Sequence, residues 1–513
     1  PTALAIRHAL PASVQVVGPY TGALNNNNET LAYAAADATP IQSFDYDDSG
    51  SWPGRADGAA STLELIDPAR DPGSAGSWRP SSEFNGSPGS AGSGPDNRIA
   101  INEVLAHTDL PEVDSIELVN RTGAEIDISN WYLSDTRDQY TRFQIPAGTS
   151  IPSNGFITFD ETDFNSSGTP DDFALSGSRG DDVYLVEANA AGTPTRFIDH
   201  VEFGGSFNGV TLGRWPDGIG QLVPLSSNTL GGSNTPPLIG SIIITEIMYH
   251  PGGIQPGHEF IELTNRGSST QNLENWTFRG GVDFDFTSAH QIPAGGTLVL
   301  VGFDPADGSS VNAFRSTYGI GAGVPLAGPW TDGNLDNGGD LVRIQRPDTP
   351  PLDDPGSFPQ VIEVISDFDD AAPWPVGADG TGDSVHRTLP ASYGSLAGSW
   401  TSSAATPGTP PLDDDPDGDG IPELLEYALN LDPALADADK LPVPVVEGDQ
   451  LTYTYPKDTS KPELTYEIEI SNDLVRWTTI GDTLVSSDGA IELRKASIPL
   501  DGLHQFLRLK VSR

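Results

Sequence analysis

A chain of 513 residues with 57 Gly and 44 Pro devotes about a fifth of itself to residues that interrupt regular backbone, which excludes long helices as the main element. Lys and Arg total 26 against 72 Asp and Glu, a net charge of −46; such a surface repels phosphate backbones and anionic lipid, so no nucleic-acid partner and no membrane insertion are expected. Cysteine is absent, which excludes disulfides and thiol chemistry, and the longest apolar runs, such as Ile242 to Ile244, fall far short of the ~20 residues a membrane helix needs.

The chain opens at Pro1 without a Met, and its first thirty residues hold no basic segment followed by an apolar one, so it reads as part of something longer. Residues 1–97 carry Gly18-Pro-Tyr-Thr-Gly-Ala-Leu-Asn25, Phe44-Asp-Tyr-Asp-Asp48, Trp52-Pro53, Ala56-Asp-Gly58 and Gly76-Ser-Trp78. These recur as Gly328-Pro-Trp-Thr-Asp-Gly-Asn-Leu335, Asp367-Phe-Asp-Asp370, Trp374-Pro375, Ala378-Asp-Gly380 and Gly398-Ser-Trp400, with an echo at Trp215-Pro-Asp-Gly218. Residues 1–97 therefore read as the later half of a repeat, and its unpaired edges predict pairing with other copies of the chain or with an upstream segment. The run Gly86-Ser-Pro-Gly-Ser-Ala-Gly-Ser-Gly-Pro95 predicts a flexible tether, with folding resuming at Arg98.

Two fuller repeats follow, over residues 98–237 and 238–410. The first runs Ile99-Ala-Ile-Asn-Glu-Val104, Asp114-Ser-Ile-Glu-Leu-Val-Asn120, Ile128-Ser-Asn-Trp131 and Gln144-Ile-Pro-Ala-Gly148. The second runs Ile242-Ile-Ile-Thr-Glu-Ile247, Glu259-Phe-Ile-Glu-Leu-Thr-Asn265, Leu273-Glu-Asn-Trp276 and Gln291-Ile-Pro-Ala-Gly295, in the same order. Apolar and polar residues alternate within the blocks, as in Phe156-Ile-Thr-Phe159, which predicts antiparallel strands with frequent turns, an all-β sandwich class. Trp131 and Trp276 are expected as core anchors, and Glu117 and Glu262 as strand-capping or turn-fixing residues shared by both repeats.

These blocks in this order resemble the lamin tail domain, an immunoglobulin-like β-sandwich. The resemblance covers 98–237 and 238–410 fully and 1–97 in part. It implies tandem immunoglobulin-like sandwiches that scaffold or bind, found in large secreted or surface proteins, and it brings no catalytic constellation.

Residues 411–440 contain Asp415-Pro-Asp417-Gly-Asp419-Gly420-Ile421-Pro-Glu423-Leu-Leu-Glu426. Carboxylates at loop positions 1, 3, 5 and 12, with Gly at 6, match the twelve-residue calcium loop. Asp415, Asp417 and Asp419, the Ile421 carbonyl and a bidentate Glu426 would supply hard oxygens to Ca2+, with Glu423 acting through water. Pro422 departs from the EF-hand and resembles the dockerin or thrombospondin type, with one short helix following. Residues 441–513, holding Leu451-Thr-Tyr-Thr-Tyr455, Leu464-Thr-Tyr-Glu-Ile-Glu-Ile470 and Phe506-Leu-Arg-Leu-Lys-Val511, predict a small β-sandwich. Loop and terminal strands together resemble the ends of large exported proteins of planctomycete- and verrucomicrobia-like bacteria.

Weaker clusters read as structural. Asp45 and Asp47 alternate with Phe44 and Tyr46 and belong to a solvated strand face; His250 and His258-Glu259 lack any metal-ligand spacing; and no carboxylate pair announces glycoside hydrolysis. Trp52, Trp215 and Trp374, in Trp-Pro turns, could present rings to a polysaccharide. The leading reading is a non-enzymatic, extracellular, calcium-stabilised structural or adhesive array from a secreted surface or fibre-forming protein. The alternative is the ancillary carbohydrate-binding region of a secreted hydrolase.

Overall fold

The computed structural model describes residues 8, 10–252, 257–331, 333–349, 358–409, 421–431, 438–462, 464–471, 476–500 and 506–512. They fall into two compact units, Pro1–Leu238 with Asp348–Val361, and Ile239–Pro347 with Ile362–Arg513.

In the first unit, the alternating blocks of the first full repeat form two sheets. One orders the strands Phe156–Asp160, Ser115–Asn120, Ile99–Leu105, Leu212–Arg214 and Leu222–Pro224; the other orders Pro194–Phe203, Asp181–Ala188, Tyr132–Ser134 and Phe143–Gln144. Ile101, Val104, Ile116, Leu118, Leu133, Val183 and Leu185 close the core between them. Trp131 is buried there as expected, because apolar residues at every second position place one face of each strand inward.

Ahead of this sandwich lie two hairpins, Glu29–Ala34 with Pro40–Tyr46 and Leu63–Leu65 with Trp78–Pro80. Asp45 lies on the exposed face of its strand and accepts from the Thr30 hydroxyl at 2.5 Å, the solvated position that alternation gives it. The second hairpin is tied to the sandwich's Pro194–Phe203 strand. Phe84 stacks on Phe197 with centroids 5.4 Å apart, the Arg55 guanidinium covers Phe197 at 4.2 Å, and Phe197 N–H donates to the Ser82 carbonyl at 2.7 Å. Tyr140 adds a hydroxyl donation to the Ala59 carbonyl at 3.1 Å.

The glycine- and serine-rich run after Phe84 is not the free tether that its composition predicts. Ser87 donates to Glu64, Ser93 to Glu83, and the Gly94 carbonyl accepts from both Ser82 and Arg196. Small residues here permit close backbone approach, and neighbouring carboxylates and an arginine convert that approach into hydrogen bonds.

The second unit repeats the plan. One sheet orders Leu326–Ala327, Thr297–Val301, Phe260–Asn265, Ile242–Met248, Asp383–Arg387 and Trp400–Ala404, and the other Phe284–Asp285, Thr277–Gly280, Gly339–Pro347 and Gln360–Asp369. Trp276, Trp374 and Trp400 lie in its core, so the Trp374 ring is packing and not a surface platform. The helix Gly308–Tyr318, capped by Asp307, buries Phe314 against Phe260. The strands between Val445 and Ser512 build a further pair of sheets around Tyr453, Tyr455, Ile468 and Ala496.

Replacing a fully buried ring by Ala removes packing and leaves a cavity, whereas a half-buried ring loses less. Trp276→Ala should therefore cost the second unit about 3–5 kcal/mol in urea unfolding, and Trp52→Ala, at a half-buried position, clearly less. Equal losses at the two sites would contradict this assignment of the core.

Candidate functional site

Each full repeat carries a bulge in its opening strand. Pairing passes from Ile101 to Glu103 against Leu118 and Glu117, skipping Asn102, and from Ile244 to Glu246 against Leu263 and Glu262, skipping Thr245. A bulge sets two successive residues opposite one. Asn102 and Glu103 thus confront Glu117, and Thr245 and Glu246 confront Glu262. All six residues are at most 2% exposed.

The paired carboxylates fasten a turn at the end of the repeat. In the first, Thr229 donates its N–H and hydroxyl to Glu103 at 2.9 and 3.0 Å, while Gly231 N–H and the Asn102 amide donate to Glu117 at 2.5 and 2.9 Å. In the second, Thr406 donates its N–H and hydroxyl to Glu246 at 2.9 and 3.4 Å, while Gly408 N–H and the Thr245 hydroxyl donate to Glu262 at 2.6 Å each. Both repeats thus build one device. A buried carboxylate demands several donors, and a Thr-x-Gly turn supplies them at the required spacing.

Burial dominates the electrostatics. It pushes Glu117 up to about 7, over the downward pull of the Asn102 and Gly231 donors, with Glu103 and Asp217 adding to the rise. Burial likewise pushes Glu262 up to about 8, helped by the neighbouring Glu246. Glu246 is raised by burial and held back by His386, whose Nε2 lies 3.5 Å away, and by donation from Ser384 and Thr406. Burial and a carboxylate neighbour thus both favour the protonated form of Glu117 and of Glu262. A carboxylate pair with one member of raised proton affinity is what glycoside hydrolysis requires. Here, however, both members are shut away from solvent with their oxygens engaged by the turn, so they fix structure.

Turn-fixing by Glu117 and Glu262 follows the reading of their recurrence. What the repeat blocks did not reveal is the partner residues: Glu103, Glu246 and the turns Thr229-Leu-Gly231 and Thr406-Pro-Gly408. Their signal is present as Asn-Glu and Thr-Glu at matched offsets and a Thr-x-Gly at each repeat end.

Of the calcium-loop residues, Asp415, Asp417 and Asp419 lie outside the described residues. Ile421 is buried, Glu423 begins the helix Glu423–Leu429, and Glu426 is fully buried on it. The helix rests on the strands that follow. Tyr466 hydroxyl donates to the Ala428 carbonyl at 2.8 Å, and Lys461 donates to the Tyr427 carbonyl and the Asn430 side chain. His250 pairs with Asp379 at 2.6 Å and is not joined to His258 in a metal-binding group; among the described residues no group of three or more acidic or imidazole side chains is placed to hold a metal ion.

The lamin tail domain family matches residues 93–204 and 235–349. Two tandem stretches of the chain are thus similar to the lamin tail domain, in keeping with their two-sheet, immunoglobulin-like sandwiches. No curated protein and no solved structure matches the chain.

A carboxyl whose folded pKa is raised binds more protons folded than unfolded. Its stabilisation is complete below the ordinary Glu value of 4.5 and is lost as pH rises through the folded value of about 8 for Glu262. The second unit should lose roughly 1–3 kcal/mol between pH 5 and 8.5, and Glu262→Gln, a neutral isostere, should flatten that decline. Parallel pH profiles for parent and variant in urea unfolding would contradict the assignment.

Proposed function

We propose that this chain is a non-enzymatic, extracellular structural array in which lamin tail repeats serve as spacers and a calcium loop stiffens the passage to the last sandwich. The observation that carries this reading is the duplicated glutamate pair. In both repeats the groups with the most perturbed carboxylate chemistry are buried and engaged in closing their own fold, as expected of modules selected for shape and persistence. The net charge of −46 supports an exported setting, since it keeps such an array soluble and dispersed.

The calcium part of the reading rests on the spacing of Asp415, Asp417, Asp419, Ile421, Glu423 and Glu426 and on the burial of Glu426. A fully buried carboxylate fits the role of bidentate ligand, because a divalent cation offsets the cost of removing that charge from water. The bound ion would neutralise the acidic loop and order it against the helix; the rest of the role falls to Lys461 and Tyr466, which hold the helix to the following strands.

Calcium at about a hundred times its dissociation constant should stabilise the folded loop by about 2.7 kcal/mol, and Glu426→Gln should remove most of that gain. A melting curve indifferent to chelator, together with no heat of calcium binding by calorimetry, would refute the calcium site. For the setting, protease applied to intact cells should release peptides of this chain; release only after lysis would refute the extracellular assignment.

A further inference from the structure

The two hairpins before Arg98 reproduce the closing half of the second full repeat in detail. Leu63↔Pro80 and Leu65↔Trp78 repeat the register Val385↔Ser402 and Arg387↔Trp400. Trp52 meets Trp78 at 6.3 Å and 33°, as Trp374 meets Trp400 at 5.9 Å and 39°. Asn25 N–H donates to Glu29 as Asp336 N–H donates to Asp340, and Asp47 caps its turn as Asp369 does.

What differs is the cover. In the complete repeats an opening strand lies along the next edge, pairing Ile247 with Val385 and Glu246 with His386 in one, and Val104 with Leu212 and Glu103 with Gly213 in the other. The corresponding edge of Leu63–Leu65 carries no strand among the described residues. The opening block Ile-x-Ile-x-Glu occurs at Ile99 and Ile242, where each copy is already paired in its own sandwich.

The inward faces are accordingly open. Tyr20 is 72% exposed where its counterpart Trp330 is 8% exposed, and Leu24 is 54% exposed where Leu335 is 3% exposed. A cleft of about 470 Å³ lies beside Leu24, lined by Leu31, Phe44, Tyr46, Ala56, Leu63 and Trp78. Separately, the turn that receives the opening-strand glutamates has a counterpart in Ser87-Pro-Gly89, matching Thr406-Pro-Gly408. Ser87 lies against Glu64, at the register position of His386 beside Glu246. The seat and its open edge are present, with the Ser87-Pro-Gly89 turn beside them.

We propose that this cleft and the Leu63–Leu65 edge receive an extended segment of repeat-opening sequence, Ile-x-Ile-x-Glu-(Val/Ile), supplied in trans by a partner chain, since both such strands of this chain are already paired. The incoming Val or Ile pairs opposite Leu63, its apolar alternates fill the cleft, and its glutamate reaches the Ser87–Gly89 turn. Strand addition of this kind draws affinity from main-chain hydrogen bonds and specificity from alternate side-chain pockets. It names the partner of the structural array and rests on that reading.

The test uses the whole 513-residue chain and a synthetic peptide of residues 97–107, which carries one opening block. The peptide should bind one to one and slow amide hydrogen exchange at residues 63–65 and at Ser87 and Gly89. A scrambled peptide should not. Ala56→Trp, which fills the cleft from a partly exposed position, should weaken binding about tenfold or more while Phe84 and Phe197 amides keep their protection, showing that the half repeat still folds. Absence of protection at saturating peptide, equal protection in both variants, or protection of the same amides by self-association without peptide would each overturn the proposal. None of those results touches the calcium and cell-surface measurements, so the array reading stands or falls separately.

Discussion

A carboxylate buried in a β-sandwich is tolerated only where the fold brings donors to it, and each repeat here is organised around two of them. The bulge at Asn102 or Thr245 exists where the opening strand must set two polar residues against one glutamate. The chain end of the repeat must then return across the sheet so that Thr229 and Gly231, or Thr406 and Gly408, can meet the pair. The first and last strands of the repeat are thereby joined through side chains as well as through the ladder. A loop that would otherwise fray becomes part of the core.

The same dependence explains the state of the first hairpins. They possess the ring pair, the turn caps and the closing turn of a repeat, but the glutamate-bearing strands that those features face in the complete repeats lie elsewhere. Without them, apolar side chains such as Leu24 remain in solvent, and the hairpins gain their order from outside, through Phe84, Arg55 and Ser82 on the Pro194–Phe203 strand. Stability borrowed through a lateral contact leaves the inward face available. The dock on one side and the open cleft on the other both belong to a hairpin whose outer edge no described strand covers.

Much of this was legible in the sequence because β-structure with one buried face writes itself as period two, and repetition doubled the signal. The sandwich class, the burial of Trp131 and Trp276, the solvated Asp45 face and the turn-fixing role of Glu117 and Glu262 could all be read that way. The partners Glu103 and Glu246 could not, since alternation fails at a bulge and an acidic residue in a strand ordinarily signals the outside. The anchoring of the segment after Phe84 is not legible for a related reason: composition reports the freedom of a segment in isolation, whereas Glu64, Glu83 and Arg196 arrive from distant positions. Trp374 shows the limit of turn motifs, because the same Trp-Pro pair is buried where strands cover it and half-exposed, at Trp52, where they do not.

The central claim is that the glutamate pairs lock the closing turns into the cores of their repeats. Residue-resolved hydrogen exchange of the intact chain measures this directly. The account predicts that the Gly231 and Gly408 amides, although they lie in loops, exchange as slowly as strand amides such as Ile101 and Ile244, through unfolding of the repeat. Exchange of those glycine amides at the rate of exposed loops, with the strands still protected, would contradict it.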